Sequence, residues 1–191
     1  MRIIAGRHKG RRLTAPKGQK TRPTAARARE GLFNILAHGG YGPGGTSAIA
    51  GVSVLDAFAG TGAFAFEALS RGAAQATLLE IDPRAAVAAR DNAVALGELD
   101  RTTIRRMDAT RPRPAATAHG LVFADPPYGR ELAAKALTAL AAKGWIAPGA
   151  LAIAEVAGGE VFVPPEGFAL VAERSFGAAR FVLMGYGGTE G

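Results

Sequence analysis

An alternation of short apolar runs with helix-like segments, beginning at residue 52, constrains the fold of this chain more than any other feature of its sequence. Short apolar runs predict buried strands, and longer segments with apolar residues three or four apart predict helices. Strands that alternate with helices are typical of a parallel sheet covered by helices on both faces. We predict strands at 52–56, 76–81, 102–107, 121–124 and 151–156, and helices at 64–71, 84–96 and 131–143.

The end of the chain departs from this alternation. Two further apolar runs, 169–172 and 180–186, are separated by a turn around Gly177, with no helical pattern between them. A short turn can join antiparallel strands, whereas parallel strands need a long crossover. We therefore expect an α/β, Rossmann-like fold, in which a mostly parallel seven-stranded sheet with helices on both faces ends in an antiparallel hairpin.

Positive charge is concentrated at the N-terminus. Ten of the 23 Lys and Arg residues lie in residues 1–30, where Glu30 is the only acid, so this segment carries +9. The remaining residues carry 13 basic and 15 acidic groups, or −2. Clustered cations favour a polyanionic partner, because each cation near a phosphate can release a condensed counterion. Nucleic acid is the partner that this charge favours, and a solvated basic tail is the alternative.

The basic segment predicts a small extension made of a hairpin and a helix. Two short strands, at 2–5 and about 11–14, would flank a Gly-containing turn. Thr24 is a suitable N-cap for the helix that follows. The apolar residues expected on one face of that helix are Ala28, Leu32, Ile35 and Leu36.

Residues 38–51 separate this extension from the alternating part of the chain. They are rich in Gly, Pro and Ser, which punctuate loops, so we expect a flexible linker there. The expected organisation is an extension at 1–37, the linker at 38–51 and a main domain at 52–191.

Composition argues against several kinds of protein. No apolar run approaches the roughly 20 residues that a membrane-spanning helix needs. The first residues also lack the apolar stretch of a signal peptide, so we expect a cytoplasmic protein without a membrane partner. The chain has no cysteine and only three, widely separated histidines, so we expect no disulfide and no metal site.

The segment from Asp56 to Gly62 lies where the first strand turns into the first helix. Glycine allows the backbone to approach a ligand at the carboxyl edge of a parallel sheet, the usual binding crevice of this fold class. The glycines alone also fit the fingerprint of a dinucleotide-dependent dehydrogenase. Asp56 discriminates between the two, because a carboxylate there would oppose a pyrophosphate but suits the cationic end of S-adenosylmethionine.

Two further acids follow the second and third strands. Glu80 ends the second strand and can accept hydrogen bonds from both hydroxyls of a ribose. Asp108 follows the third strand, where it is placed to accept a hydrogen bond from the amino group of adenine. A turn residue or helix N-cap is an equal alternative for Asp108.

The fourth predicted strand runs into the tetrapeptide Asp125, Pro126, Pro127 and Tyr128. Proline fixes φ and has no N–H, so two in succession make a rigid corner whose carbonyls can accept. Such a corner can hold the Asp125 carboxylate and the Pro126 carbonyl as converging acceptors for an aromatic amino group. The amino nitrogen could then attack a methyl donor in line, a step governed by positioning and electrostatics. Tyr128 offers a flat face on which an extruded base could stack, although an Asp-Pro dipeptide can also be a simple turn.

In these motifs the chain resembles the RsmD family, the bacterial 16S rRNA guanine-N2 methyltransferases. Segments 1–6, 9–13 and 21–34 are similar to the N-terminal pattern of that family. Residues 55–73 and 125–128 are similar to its cofactor and catalytic segments, which many amino methyltransferases share. The N-terminal pattern therefore points to the family, whereas the other two point to the reaction.

The resemblance implies a class I methyltransferase fold and methylation of N2 of guanine 966 of 16S rRNA, in an assembling small ribosomal subunit. The implied cofactor is S-adenosylmethionine, with S-adenosylhomocysteine as product, and we expect a monomer. Predicted cofactor-binding residues are Asp56, Phe58, Gly60, Gly62, Glu80 and Asp108. Predicted catalytic residues are Asp125, Pro126, Pro127 and Tyr128. Predicted phosphate contacts are Lys9, Arg11, Arg12, Arg22, Arg27 and Arg29, with Arg22 alternatively bordering the active site.

Three other functions remain open. A DNA adenine-N6 or cytosine-N4 methyltransferase could use the same tetrapeptide, but the chain has no obvious room for a large target-recognition region. A protein glutamine methyltransferase presents the same chemical problem, but the basic N-terminus has no evident purpose there. A non-catalytic RNA-binding subunit is disfavoured by the intact Asp56 and tetrapeptide.

Overall fold

The fold is described by a computed structural model that covers residues 1–16, 23–127 and 132–187. Its helices are α1 (Pro23–His38), α2 (Ala63–Ser70), α3 (Pro83–Leu96) and α4 (Leu132–Ala142). Its strands are β1 (Ser53–Asp56), β2 (Gln75–Glu80), β3 (Thr102–Arg106), β4 (His119–Ala124), β5 (Ile146–Ala157), β6 (Phe168–Phe176) and β7 (Ala179–Tyr186). Two short 3-10 turns, Pro43–Gly45 and Leu99–Arg101, complete the described elements.

The strands form one sheet in the order β3-β2-β1-β4-β5-β7-β6. The first five strands in that order are parallel, and β7 pairs antiparallel with both β5 and β6. The prediction of a mostly parallel seven-stranded sheet with a terminal antiparallel hairpin is therefore confirmed. Strand β6 is longer than its apolar run, because pairing with β7 continues through the polar residues up to Phe176.

Two hydrophobic clusters lie on opposite faces of the sheet. In the first, residues of α1, α2 and α3 pack against alternate residues of the strands, among them Val54 and Leu78. In the second, α4 packs against the neighbouring residues Leu55 and Leu79. Successive residues of a strand point to opposite faces, so the continuous apolar runs of β1 and β2 supply both clusters.

The N-terminal segment folds back on itself, but it does not form the two strands that the sequence predicted. A single antiparallel bridge joins Arg2 and Arg12. Backbone hydrogen bonds from Ile3 to Arg11 (3.0 Å) and from Leu13 to Met1 (3.0 Å) flank it. Other backbone N–H groups of the segment donate to side chains of α2 and α3. These hydrogen bonds take the place of the regular ladder of a hairpin.

Helix α1 begins at Pro23, so Thr24 lies within the helix and the prediction that it is the N-cap is wrong. Proline suits the first position of a helix, because the N–H that it lacks would have no partner there. The predicted apolar face is confirmed for its buried residues, Ala28, Leu32 and Leu36, and Ile35 is half-buried.

The predicted linker is packed against the rest of the chain at its C-terminal end. Ile49 is fully buried, and the N–H of Ala48 donates to the carbonyl of Leu36 (2.9 Å). Gly51 donates in the same way to Gly72, at the end of α2 (2.9 Å). This part of the expected linker is thus held in place by burial of Ile49, an apolar residue inside an otherwise polar and Gly-rich segment.

Candidate active site

The candidate site lies at the carboxyl edge of the parallel strands, where the strand order reverses. Strand β1 lies between β2 and β4, so the sheet grows to one side of β1 through β2 and β3 and to the other side through β4 and β5. Asp56, the last residue of β1, is in register with Leu78 of β2 and Phe123 of β4. Ligands of open α/β sheets bind in the crevice at such a reversal. Asp56, Glu80 and Asp125 therefore share one edge.

The loop after β1 depends on two glycines with left-handed backbones. Gly62 has φ +82°, and a Cβ on it would lie 2.4 Å from Cε2 of Phe66, so a larger residue does not fit. Gly60 has φ +53°, and a Cβ there would meet no protein atom within 4 Å. The loop thus packs tightly on α2 at Gly62 and leaves open space at Gly60, as close approach of a ligand requires.

Asp56 is a buried carboxylate whose bonding is incomplete. Only 1% of the residue is exposed, and Oδ2 accepts a long hydrogen bond from the N–H of Ala65 (3.3 Å). Its Oδ1 is buried and has no hydrogen-bond partner among the residues that the structure describes. Desolvation, reinforced by the charge of Glu80, raises the pKa of Asp56 to about 7, against the effects of the Ala65 and Phe58 amides. A cation placed beside this carboxylate would compensate its burial.

Glu80 joins the loops that follow β1 and β2. One carboxylate oxygen accepts from the N–H of Gly60 and the other from the N–H of Asp82, both at 2.7 Å. Each oxygen keeps a further lone pair with which it could accept from a ribose hydroxyl. Asp82 caps α3 by accepting from the N–H groups of Arg84 and Ala85.

The other predicted cofactor residues are less distinctive. One oxygen of Asp108 accepts from the N–H (2.9 Å) and the hydroxyl (2.7 Å) of Thr110, as expected of a turn residue. Its contact with adenine stays a prediction. Phe58 is half-buried and packs against the cluster that contains α4.

The predicted catalytic corner follows β4 directly. Asp125 is half-buried, Pro126 is buried and Pro127 is exposed, whereas Tyr128 lies outside the described residues. Desolvation, followed by the nearby charges of Glu155 and Asp56, raises the pKa of Asp125 to about 8. The corner therefore presents a carboxylate that can hold or release a proton near neutral pH.

Glu155 belongs to this site but was not predicted from the sequence. Ala124 of β4 is in register with Ala154 of β5, so the residues that follow each of them, Asp125 and Glu155, are neighbours. A single acid within the apolar run of β5 is the signal that could have identified it. Its partner Asp125 is distant in sequence, so only the strand register brings the two carboxylates together.

The N-terminal basic residues divide into exposed and buried groups. The exposed residues predicted to contact phosphate are Lys9, Arg11, Arg12 and Arg27. Arg29 is only 4% exposed, and its guanidinium donates to the carbonyl of Arg2 (3.0 Å) and to Sδ of Met1 (3.1 Å). Burial also lowers the pKa of Arg29. The prediction that Arg29 contacts RNA is therefore replaced by a role in folding, and Arg22 lies outside the described residues.

Glu67 anchors the N-terminal segment, a role that the sequence did not indicate. Its buried carboxylate accepts from the N–H groups of Ile4 (2.8 Å) and Ala5 (3.1 Å) and from Nε of Arg71 (2.8 Å). Ile4 and Ala5 are 63 and 62 residues away along the chain, so no local pattern indicates that they bind Glu67.

A second buried carboxylate holds the tip of the same segment. Glu98 is 2% exposed and accepts from His8 (2.5 Å), with Arg7 and Arg101 as further partners. Burial alone would raise the pKa of Glu98, but the hydrogen bonds from His8 and Arg101 outweigh it and lower the pKa. Glu67 and Glu98 thus attach residues 4–8 of the basic segment to the rest of the fold.

Within residues 1–16, 23–127 and 132–187, no helix has the length and apolar character needed to cross a bilayer. The same ranges contain no group of three or more His, Cys, Asp or Glu that could hold a metal ion.

Comparison with known proteins agrees with this geometry. The family model described as "Conserved hypothetical protein 95" matches residues 1–185. The chain is 37% identical over 155 residues to ribosomal RNA small subunit methyltransferase D of Escherichia coli, covering 81% of this chain and 74% of that protein. It is 32% identical over 187 residues to the protein of the same name from Haemophilus influenzae, covering 96% and 92%. The solved structure of yhhF from Escherichia coli superposes with a TM-score of 0.80 at 34% identity over 97% of both chains. The chain therefore belongs to the RsmD family of rRNA methyltransferases and has its class I methyltransferase fold.

Proposed function

We propose that this chain transfers a methyl group from S-adenosylmethionine to the exocyclic N2 of a guanine in 16S rRNA. By resemblance to the family the target is guanine 966, methylated during maturation of the small ribosomal subunit. The observation that carries the proposal is that buried Asp56, which ends β1, and half-buried Asp125, which follows the neighbouring strand β4, lie at the same edge of the sheet. The Asp56 carboxylate suits a cationic methyl donor, and the Asp125 carboxylate suits the amino group that receives the methyl.

Asp125 acts on the nitrogen that receives the methyl group. As an anion it accepts a hydrogen bond from the amino group, with the Pro126 carbonyl as the proposed second acceptor. The nitrogen lone pair, otherwise conjugated into the ring, then becomes available for attack. An N–C bond forms as the S–C bond of the donor breaks, and nitrogen loses one proton. Because its pKa is raised to about 8, Asp125 is basic enough to take that proton.

The loop residues bind and orient the donor. S-adenosylmethionine, when bound, supplies an electrophilic methyl group carried on a positively charged sulfonium. Asp56 offers the buried negative charge, with an oxygen unpartnered in the described part of the chain, that suits a cationic ligand. Glu80 is the proposed acceptor for ribose hydroxyls, and the open space at Gly60 lets the backbone approach the ligand. Phe58, Gly62 and Asp108 complete the proposed cofactor site.

The exposed basic residues support RNA as the substrate. Lys9, Arg11, Arg12 and Arg27 are exposed on a segment that is fixed to the catalytic domain through Glu67 and Glu98. Arg22 and Tyr128 are proposed RNA contacts on the sequence alone. The proposal includes a monomeric cytoplasmic enzyme that meets its rRNA in an assembling small subunit.

The decisive experiment supplies labelled S-adenosylmethionine with three unmethylated substrates in parallel: small subunits, naked 16S rRNA and duplex DNA. We expect label in RNA, mapped to a single N2-methylguanine. Label confined to DNA would establish the alternative amino methyltransferase and refute the proposal. Label in no substrate, from a chain that binds the cofactor, would indicate a non-catalytic RNA-binding protein.

The assignment of Asp125 is tested by Asp125→Ala. We expect the rate to fall by roughly 10²–10⁴-fold, the usual contribution of a positioned acid or base. Cofactor affinity, measured by titration calorimetry, should stay within a few-fold of wild type. Asp100→Ala, which removes an exposed carboxylate, is the matched control and should leave the rate unchanged. Equal loss of cofactor binding and rate in Asp125→Ala would show that Asp125 is structural.

A further inference from the structure

A pocket of about 620 Å³ lies in the N-terminal segment, outside the candidate active site. It is lined by Met1, Arg2, Ile4, Arg12, Leu13 and Ala26. Its volume lies within the ~300–1,000 Å³ typical of small-molecule sites. Four of its six lining residues are apolar, and the other two are arginines.

The two arginines lie on the same face of the chain. Arg2 and Arg12 are partners in the antiparallel bridge, and residues directly opposite in such a bridge project to the same side. Like charges directly opposite each other destabilise the pair, so an anion between them would stabilise it. Arg2 donates one hydrogen bond, to the carbonyl of Gly10 (3.2 Å). Among residues that the structure describes, the exposed Arg12 guanidinium has no hydrogen bond or ion pair.

Hydrogen bonds to buried side chains of other elements hold the wall of the pocket in place. The N–H of Ile4 donates to Glu67, and the carbonyl of Arg2 accepts from Arg29 (3.0 Å). Both Glu67 and Arg29 are buried. A site built on fixed backbone loses less entropy when it binds than one on a free tail.

The pocket and the catalytic corner are connected through α1. Ala26 lines the pocket, and Phe33 lies seven residues further along the same helix, or roughly 10 Å. The ring of Phe33 is 5.5 Å from that of Phe123, which is two residues before Asp125. One helix and one ring contact thus link the wall of the pocket to the strand that precedes the catalytic corner.

We propose that this pocket binds one unpaired nucleotide of the RNA substrate, close in sequence to the methylated guanine. The base contacts the apolar wall, and its phosphate lies between Arg2 and Arg12. Guanidinium groups bind phosphate with two parallel hydrogen bonds and also stack on bases, so two arginines beside apolar side chains suit a nucleotide. The nucleotide is unpaired, because a base within a duplex cannot enter a pocket. This inference rests on the proposed function, since it assigns a contact to the same RNA.

The test compares two exposed arginines in the full-length chain. Arg12→Gln removes a charge from the pocket, whereas Arg90→Gln removes the same charge from an exposed position of α3. Binding of a fluorescent single-stranded 16S rRNA fragment is measured by anisotropy across a range of salt. We expect Arg12→Gln to weaken binding roughly ten-fold or more, since a lost charged hydrogen bond has about that effect. Its salt slope should fall by about one. Arg90→Gln should stay within about two-fold of wild type.

A second variant tests the pocket itself. Ala26→Glu adds a negative charge on its wall, in the early part of α1 where an acid is compatible with a helix. It should weaken binding to the single strand without lowering the melting temperature. Equal weakening by Arg90→Gln and Arg12→Gln would overturn the proposal in favour of general electrostatic attraction. Equal binding of a matched RNA duplex, or of poly-glutamate in competition, would also overturn it.

Failure of this inference is distinguishable from failure of the proposed function. Methyl transfer to rRNA by the wild-type chain is measured in the same samples. Absence of RNA methylation in wild type contradicts the proposed function. RNA methylation that is unaffected, in rate and KM, by both Arg12→Gln and Ala26→Glu contradicts the pocket alone.

Discussion

Asp125 and Glu155 form a pair of neighbouring carboxylates whose electrostatics should set the pH dependence of the reaction. In the proposed reaction, the anion of Asp125 is a stronger acceptor for the substrate amino group than the protonated acid, and only the anion can take up the proton. Because desolvation, Glu155 and Asp56 raise the pKa of Asp125 to about 8, we expect kcat/KM to rise with pH and level off above about 8.

Glu155→Gln removes one of the charges that raise this pKa. The inflection in the pH profile should therefore move to lower pH, with a smaller effect on the plateau. Glu166→Gln, which removes an exposed carboxylate, is the control and should leave the profile unchanged. Superimposable profiles for wild type and Glu155→Gln would contradict the assigned coupling.

Asp56 should bind its ligand with release of a proton. Desolvation raises the pKa of Asp56 to about 7, so near neutrality a part of the protein carries a protonated carboxyl. A cation beside Asp56 stabilises the anion and lowers that pKa. We expect binding of S-adenosylmethionine to strengthen as pH rises through about 7 and to release protons, measured by calorimetry in buffers of different ionisation enthalpy.

The uncharged sulfur of S-adenosylhomocysteine provides an internal comparison for this prediction. Its binding should release fewer protons if Asp56 responds to the sulfonium. Asp56→Asn should abolish the difference between the two ligands. Equal release by both ligands in wild type would mean that Asp56 faces another part of the molecule.

At the scale of elements, the N-terminal segment is attached to α2 through the buried carboxylate of Glu67. Glu67→Gln leaves only one oxygen to accept and leaves Arg71 without its charge partner in a buried position. Removing one member of a buried pair is costly, so we expect a loss of about 3 kcal/mol in the free energy of unfolding. Urea denaturation measures this directly.

Glu30→Gln is the matched control for Glu67→Gln, because it makes the same substitution at an exposed position of α1. We expect it to change the free energy of unfolding by no more than about 0.5 kcal/mol. Similar losses in both variants would mean that Glu67 contributes no more than a surface acid.

The elements of the sheet were predictable because their signals are local. The alternation of short strand-like runs with helical segments located the seven strands, and it placed the acids Asp56, Glu80 and Asp125 at or just after strand ends. Glu155, Glu67 and Arg29 were missed or misassigned for the opposite reason. Their roles depend on strand register and on partners far away in sequence, so no nearby pattern distinguishes them from ordinary surface residues.

At the scale of the whole molecule, ionisation of the buried carboxyl groups of Asp56 and Asp125 lowers the free energy of unfolding. Raised pKa values mean that the folded state holds protons that the unfolded chain has released. Below the ordinary carboxyl pKa both groups are protonated in the folded and the unfolded chain, so their burial carries no ionisation penalty. The free energy of unfolding then falls as pH rises, until the pH passes about 7 for Asp56 and about 8 for Asp125. The penalty is therefore fully developed in mildly alkaline solution.

A double variant, Asp56→Asn with Asp125→Asn, should remove this penalty. We expect it to be inactive but more stable than wild type by roughly 2–4 kcal/mol at pH 8.5, with a smaller difference at pH 6. Denaturant unfolding at the two pH values gives both numbers. A variant less stable than wild type at pH 8.5 would show that hydrogen bonds of these carboxylates outweigh their burial.

The buried side chain of Asn92, on α3, links the basic N-terminal segment to the proposed cofactor loop. Its amide accepts from the N–H of Thr14 (2.7 Å) and donates to the carbonyls of Thr14 and Thr61 (both 3.0 Å). Thr14 follows the arginine-bearing segment, and Thr61 lies between the two glycines of the cofactor loop. One side chain thus fixes the span from the basic surface to the donor site. In the proposed function, an RNA strand bound by the arginines would then present its guanine at a fixed distance from the methyl donor. Selection of the nucleotide would rest on this distance as much as on contacts with the base.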